Sequence, residues 1–164
     1  MTDADLEELL EVQRQSYSRA GGSVRGAWPE ESSLRRAELR DFLERLVYGV
    51  LATARPDGRA HATPIAFSIE EGAFWIATVA SVRLRNLRTS PWASLVLTDG
   101  QRTERHSALT VEGPVTLHEG AAFDVVRERL DERWRTRHGQ TPDWAVAFIE
   151  LRPERILSYR DPHA

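Results

Sequence analysis

Near the start of the chain apolar residues recur every three or four positions; from the middle onward they recur every second one. Over residues 3–17, Leu6, Leu9, Leu10 and Gln13 fall on one helical face, with acids at the N-terminal end where a helix dipole favours them. This segment is predicted to be a helix. SRAGGSVRGAWPEESS, residues 18–33, is rich in Gly and Ser and reads as a loop. Leu39, Phe42, Leu43 and Leu46 form the apolar stripe of a second helix over 34–46, with Ser32 or Ser33 as its cap.

From residue 47 the period shortens. VYGVLATA (47–54) reads as a buried strand, RPDGR as a turn, and AHATPIAFSI (60–69) as an alternating strand with Ile65, Phe67 and Ile69 on one face. Pro64 inside that run places it at a sheet edge or a bulge. AFWIATVA (73–80), WASLVLTD (92–99) and SALTVEGPVTLHEG (107–120) follow as strands, the last kinked at Gly113-Pro114, with GQRTERH between them as an exposed hairpin loop. Phe123, Val126, Leu130 and Trp134 mark a helix over 121–134, and WAVAFIELRPERILSYR supplies one last strand or two. Helices followed by a run of short strands do not fit parallel βαβ winding. They predict a mainly β protein, an antiparallel sheet closed into a small barrel.

Composition narrows the chemistry. The 164 residues suit one domain with a real core, 41% of them hydrophobic, and the net charge is only −3. No global attraction to nucleic acid or to an anionic membrane follows from that balance. There is no cysteine, which excludes disulfides, thiolate metal sites and cysteine nucleophiles. All 22 basic residues are Arg, so lysine Schiff-base chemistry is excluded as well. The start, MTDADLEELL, is acidic where a signal peptide would be basic, and no run nears the ~18 apolar residues of a membrane span; a soluble cytoplasmic protein is expected. The histidines at 61, 106, 118, 138 and 163 make no metal-ligand spacing. Trp75, Trp92, Trp134 and Trp144 are assigned to core or dimer interface, and Trp28 is a candidate to reach a neighbouring cofactor site. Arg102, Glu104 and Arg105 read as solvated loop residues.

One segment breaks a local rule. In SVRLRNLRTSP, residues 81–91, Ser81 is placed to cap a short helix that must end before Pro91. Leu84 and Leu87 then face the core, Arg85 and Arg88 share an outer face, and Arg83 and Asn86 share a third. Arg83 in the first turn opposes the helix dipole by about 0.3–1 kcal/mol. An anion bound there would reverse the sign, with free N–H groups, the Ser81 hydroxyl and the guanidinium directed at one phosphate. The competing reading is a surface helix whose arginines are solvated.

GVLATARPDGRAHATPIAF, FWIATVASVRLRNLRTSPWASLVL and VEGPVTL, in this order and at these spacings, resemble the pyridoxamine-phosphate-oxidase-like flavin and deazaflavin oxidoreductases. The likeness is closest to their small members that use coenzyme F420. It covers roughly residues 40–160 and is carried most strongly by Thr78, Ser81, Arg83, Arg85, Asn86, Leu87 and Pro91. The resemblance implies a six-stranded antiparallel split β-barrel with flanking helices over 47–160, and a homodimer with cofactor at its interface. The N-terminal helical extension over 1–46 lies largely outside the resemblance and is expected to pack on the barrel or on the partner subunit. The resemblance further implies that His61, Thr63, Pro64 and Ile65 line the flavin or deazaflavin ring, and that Thr78, Val79, Ser81, Arg83, Arg85 and Asn86 take the ribityl chain and phosphate. Arg83 stands where the family commonly has Lys; a guanidinium holds phosphate bidentately, so the role survives. The C-terminal Arg/His substrate segment of the vitamin B6 oxidases has no match here beyond Arg160 and His163, so pyridoxamine phosphate oxidation is not expected.

The expected function is hydride transfer between F420 or FMN and a small organic substrate, with no metal and no catalytic side chain identified. A non-catalytic split-barrel protein that holds a cofactor as carrier or sensor stays open beside it. Nucleic-acid binding is the third reading and lacks the basic and aromatic sheet face it would need.

Overall fold

In a computed structural model, residues 1–100 and 106–161 are described. The elements are α1 (Asp3–Ser18), α2 (Gly22–Ala27), a 3-10 turn (Glu30–Ser32), α3 (Arg36–Arg45), β1 (Tyr48–Ala54), β2 (Ala60–Ala66), β3 (Ser68–Glu70), β4 (Ala73–Thr78), α4 (Val82–Thr89), β5 (Trp92–Asp99), β6 (Ser107–Glu119), α5 (Ala121–His138), β7 (Ala147–Leu151) and β8 (Arg155–Arg160). All pairings are antiparallel, in the order β2-β1-β5-β6-β7-β4-β3, with β8 on the other side of β6. The sheet curls into a split barrel.

The expected six strands are eight among the described residues. The run 60–69 is not one strand. Phe67 donates its N–H to Val47 O and turns the chain from β2, paired with β1, to β3, paired with β4. The run 144–160 breaks at Arg152-Pro153 into β7 and β8. β2 ends the sheet, which explains how Pro64 is tolerated: its missing N–H faces no second strand. The hairpin loop expected at 100–106 falls largely on residues 101–105, outside the described ones.

β6 joins the two halves of the barrel. Its first half, Ser107–Glu112, lies between β5 and β8; its second half, Val115–Glu119, pairs with β7. The exchange occurs at Gly113-Pro114. Arg152 N donates to Pro114 O at 3.1 Å and Glu154 N to Glu112 O at 2.9 Å, so the β7–β8 link lies directly on the bend. A Cβ on Gly113 would sit 1.9 Å from the Arg152 carbonyl oxygen. Only glycine permits that approach.

β4 is buried along its whole length because both faces are covered. Phe74 and Ile76 enter the barrel core with Leu51, Leu95, Val111 and Ile149, while Trp75 and Ala77 pack under α5 with Leu130, Trp134 and Phe148. That is why the strand reads as a continuous apolar run.

The N-terminal helices close what the strands leave open. β8 has one free edge, and α1 satisfies it with side chains. Tyr17 Oη donates to Ser158 O at 2.6 Å, Ser158 N to Tyr17 Oη at 3.3 Å, and Ile156 N to Ser16 Oγ at 2.9 Å. A covered edge cannot recruit a foreign strand. Arg137 of α5 donates to Phe67 O at 2.9 Å, to Leu43 O at 2.8 Å and to Leu46 O, and its guanidinium lies 4.8 Å from the Phe67 ring centre. It caps α3 and pins the β2–β3 corner together.

Several helix boundaries differ from expectation. The loop 18–33 contains α2 and a 3-10 turn; α2 has no buried residue, so it leaves no apolar period to read. α3 begins at Arg36 rather than residue 34, and neither Ser32 nor Ser33 caps it; the Arg35 N–H is met by Glu38 Oε2 at 2.9 Å. α5 runs to His138, four residues past Trp134, and ends on Gly139 in the left-handed conformation. No helix among the described residues is long and apolar enough to cross a membrane.

Two outcomes follow. Gly113→Ala is expected to cost about 1–3 kcal/mol, the range for overpacking a closed site, measured by urea unfolding. Asp5 is 4% exposed; burial alone would raise its carboxyl, but hydrogen bonds from Thr2 N–H and hydroxyl and from Gly72 N–H, with Arg133 nearby, hold it below its ordinary 3.8. Its contribution is complete above that ordinary value and is lost as pH falls through the lower folded one. Asp5→Asn is expected to be about 1–3 kcal/mol less stable than the parent at pH 7, and the gap to shrink steadily below pH ~4.

Candidate functional site

The chain leaves β4 at Thr78 and enters α4 through Ser81, whose extended backbone lets its hydroxyl accept the Leu84 N–H at 3.4 Å. Leu84 and Leu87 are buried and fix the helix against the barrel, while Arg85 and Arg88 face outward. Arg88 is not merely solvated: it forks onto Glu119, with Nη2 at 2.5 Å from Oε1 and Nε at 3.2 Å from Oε2.

Arg83 behaves differently. Its Nε donates to Thr78 Oγ1 at 2.9 Å and its Nη1 to Thr63 Oγ1 at 2.9 Å and to Pro64 O at 3.4 Å. It thus reaches across from β4 to the terminal strand β2. No carboxylate among the described residues pairs with it, and Nη2 has no protein partner there. Burial without a counter-charge pulls its guanidinium below its ordinary value. A cation so placed is stabilised when an anion completes it.

Asn86 shares the inward side of α4 but has another task. It is 2% exposed, and its Nδ2 donates to Thr53 Oγ1 at 3.0 Å, which in turn donates to His61 O at 3.4 Å. The helix therefore grips β2 twice, through Arg83 at Thr63 and Pro64, and through Asn86 and Thr53 at His61.

The expected site residues separate accordingly. Thr63, Pro64, Thr78, Ser81 and Arg83 converge, with Thr78 Oγ1 3.4 Å from Ser81 Oγ. His61 sits one residue pair further along β2, half-buried, with its Nδ1 buried and without a hydrogen-bond partner among the described residues. Ile65 belongs to the barrel core at 5% exposure. Asn86 is interior, Arg85 is exposed with no ion pair among the described residues, and Val79 is exposed. Thr53 escaped the sequence reading. A buried Thr among the apolar residues of β1 was its only signal, since its partner stands 33 positions away.

A second surface runs beside the site. Tyr48, Val50 and Trp92 are exposed on the outer sheet, where Val50 is flanked in register by Pro64 of β2 and Val96 of β5.

The sequence matches the family model for pyridoxamine 5'-phosphate oxidase over residues 36–160, and the chain belongs to that family. Solved structures share its fold. A conserved hypothetical protein from Mycobacterium tuberculosis is 23% identical, with 82% of this chain and 90% of that one covered at a TM-score of 0.69. An FAD-binding protein from Mesorhizobium loti is 14% identical over 78% and 96% of the two chains, TM-score 0.61. The heme storage protein HutZ from Vibrio cholerae is 18% identical over 78% and 95%, TM-score 0.61. No curated protein matches the sequence.

If Asn86 and Thr53 act as one strut, Asn86→Ala and Thr53→Val should each lower stability by about 1–2 kcal/mol. The double variant should lose clearly less than their sum, as read by chemical unfolding.

Proposed function

We propose that the chain is an oxidoreductase that holds a phosphate-bearing flavin or deazaflavin, FMN or coenzyme F420, and moves a hydride between it and a small organic substrate. The observation that carries this reading is Arg83: half-buried, fixed by neutral oxygens, and without a carboxylate partner among the described residues at the start of a helix. Ser81 and the free first-turn N–H groups of α4 stand beside it as further donors to a phosphate, while the Thr78 hydroxyl, which accepts Arg83 Nε and donates to Val79 O, positions the guanidinium. The unpartnered His61 Nδ1 and the backbone of β2, a terminal strand, fit a heteroaromatic ring that needs hydrogen-bonding partners along its edge. The family and the flavin-binding relative agree with that chemistry. When bound, such a group would give or take the hydride. The chain binds it, orients it and excludes water.

A homodimer belongs to the same reading. The exposed Tyr48, Val50 and Trp92 lie next to the ring strand and would be removed from water by a second copy, placing the ring at the seam between subunits. A cytoplasmic location is part of the proposal. The second reading, a carrier or sensor that does no chemistry, is favoured by one observation: no acid or base is hydrogen-bonded to Arg83, Thr63 or Thr78 among the described residues. The similarity to a heme storage protein leaves the same door open.

The test compares FMN with riboflavin, which lacks the phosphate, in calorimetric titrations of the parent, Arg83→Ala and Arg83→Lys. Arg83→Ala is expected to weaken FMN by about 1.5–3 kcal/mol, roughly 10- to 150-fold, and to leave riboflavin unchanged; lysine recovers part of the loss. An unaltered FMN-to-riboflavin ratio in the alanine variant removes Arg83 as the anchor. Turnover with reduced cofactor and model acceptors separates the enzyme from the carrier.

A further inference from the structure

β2 is the strand that Arg83 reaches, and its outer edge can be read residue by residue. Among the described residues β2 pairs with β1 alone. Phe67 N–H donates to Val47 O in the same register, so the odd-numbered residues of β2 bond to β1 and the even-numbered ones turn their main-chain groups away from it. Arg83 Nη1 takes one of these outward groups, Pro64 O, at 3.4 Å. Ala62, the next even-numbered residue, turns both its N–H and its C=O to that edge.

Side chains alternate with the same period. His61 and Thr63 therefore share a face, about 7 Å apart along the strand. The Thr63 hydroxyl is already engaged by Arg83 at 2.9 Å. The His61 imidazole is not engaged: Nδ1 is buried without a partner, and no described residue bonds to Nε2. Its carbonyl is held by Thr53 Oγ1 at 3.4 Å, and Thr53 is held in turn by Asn86 at 3.0 Å. The residue is fixed in place while its ring is left without a hydrogen bond.

Ala62 and His61 together offer an N–H, a C=O and a second N–H in a row. The rings of FMN and F420 both end in a pyrimidinedione, whose edge runs acceptor, donor, acceptor. Their opposite, benzenoid edge offers no such pattern, so the polar edge is the one that matches β2. Two electrons and one proton leave the reduced ring an anion, with its charge on the polar edge. A donor holds an anion about twice as strongly as a neutral acceptor. Imidazole has an N–H to give in either protonation state.

We infer that His61 donates to the polar edge of the reduced ring and makes the site hold the reduced cofactor more tightly than the oxidised one. The inference rests on the reading of Arg83 as phosphate anchor. The phosphate carries the same charge in both states, so Arg83 sets affinity and His61 sets the preference between states. His61 transfers no proton in this role; it is a hydrogen-bond donor throughout.

The experiment measures the midpoint potential of bound FMN in the parent, His61→Phe and His61→Gln. Oxidised FMN is titrated by calorimetry and unfolding midpoints are taken alongside; F420 replaces FMN if FMN does not bind. In the parent, the bound potential is expected to lie above that of the free cofactor. His61→Phe is expected to weaken the oxidised form about threefold and the reduced form about thirtyfold. That tenfold change in their ratio lowers the potential by ~30 mV. His61→Gln, whose amide still donates, is expected to keep most of the preference. A bound potential at or below the free one in the parent overturns the inference without recourse to a variant. An equal loss of both forms in His61→Phe overturns it as well, because it marks packing alone. Arg83 stands as the anchor in either case. Binding of neither cofactor by the parent overturns the anchor and the role of His61 together.

Discussion

The approach of the Arg152 carbonyl to Gly113 is the contact on which the barrel depends. It lets one strand serve two sheets, with β5 and β8 on its first half and β7 on its second. Were β6 straight, β7 and β4 would continue in the sheet begun by β2, β1 and β5. β4 would then end far from β2. The bend returns β4 to β2 without pairing the two, and the gap left between them is the space that α4 spans. A seam of this kind has unpaired main-chain groups on the β2 side and a helix start on the β4 side, which together suit a ligand with one planar and one anionic part.

α4 turns that seam into a defined distance. Leu84 and Leu87 fix the helix against the core, and its inward polar residues then reach β2 at two separate carbonyls, Pro64 O from Arg83 and His61 O through Asn86 and Thr53. The two struts cross different amounts of protein. Asn86 is 2% exposed and its Nδ2 is taken by Thr53 Oγ1. Arg83 is only half-enclosed, and its Nη2 has no partner among the described residues. The same helix therefore carries one enclosed strut and one cation with a donor to spare.

Much of this was legible from local pattern and some was not. Strands with a covered face announced themselves: WASLVLTD is β5 at both ends, and Ser81 caps α4 as its spacing required. Elements held by polar contacts were silent. α2 buries nothing, and the last turn of α5 is fixed through Arg137, whose acceptors Leu43 and Leu46 are more than ninety positions away. Arg88 looked free because Glu119, its partner, stands 31 positions off. The single run 60–69 hid a corner, since Phe67 is buried on either side of it and alternation alone does not report a change of sheet. In the site, the convergence of Thr63 with Thr78 and Arg83 was implied only by resemblance. The Asn86–Thr53 strut left no local signal beyond a Thr among the apolar residues of β1.

A chain without lysine must use arginine for structure as well as for binding, and two of its buried arginines show how the uses differ. Burial lowers both Arg83 and Arg137, and both donate only to neutral oxygens. Arg137 spends its fork on three carbonyls, two at the end of α3 where the dipole is negative, and lays its flat face on Phe67. Its charge is met by the chain. Arg83 stands at a helix start, where the dipole is of its own sign, and one arm of its fork has no partner among the described residues. Burial of charge alone does not mark a ligand site. Burial in an unfavourable field with an unused donor is what separates Arg83 from Arg137, and it is the ground on which Arg83 is proposed as the anchor.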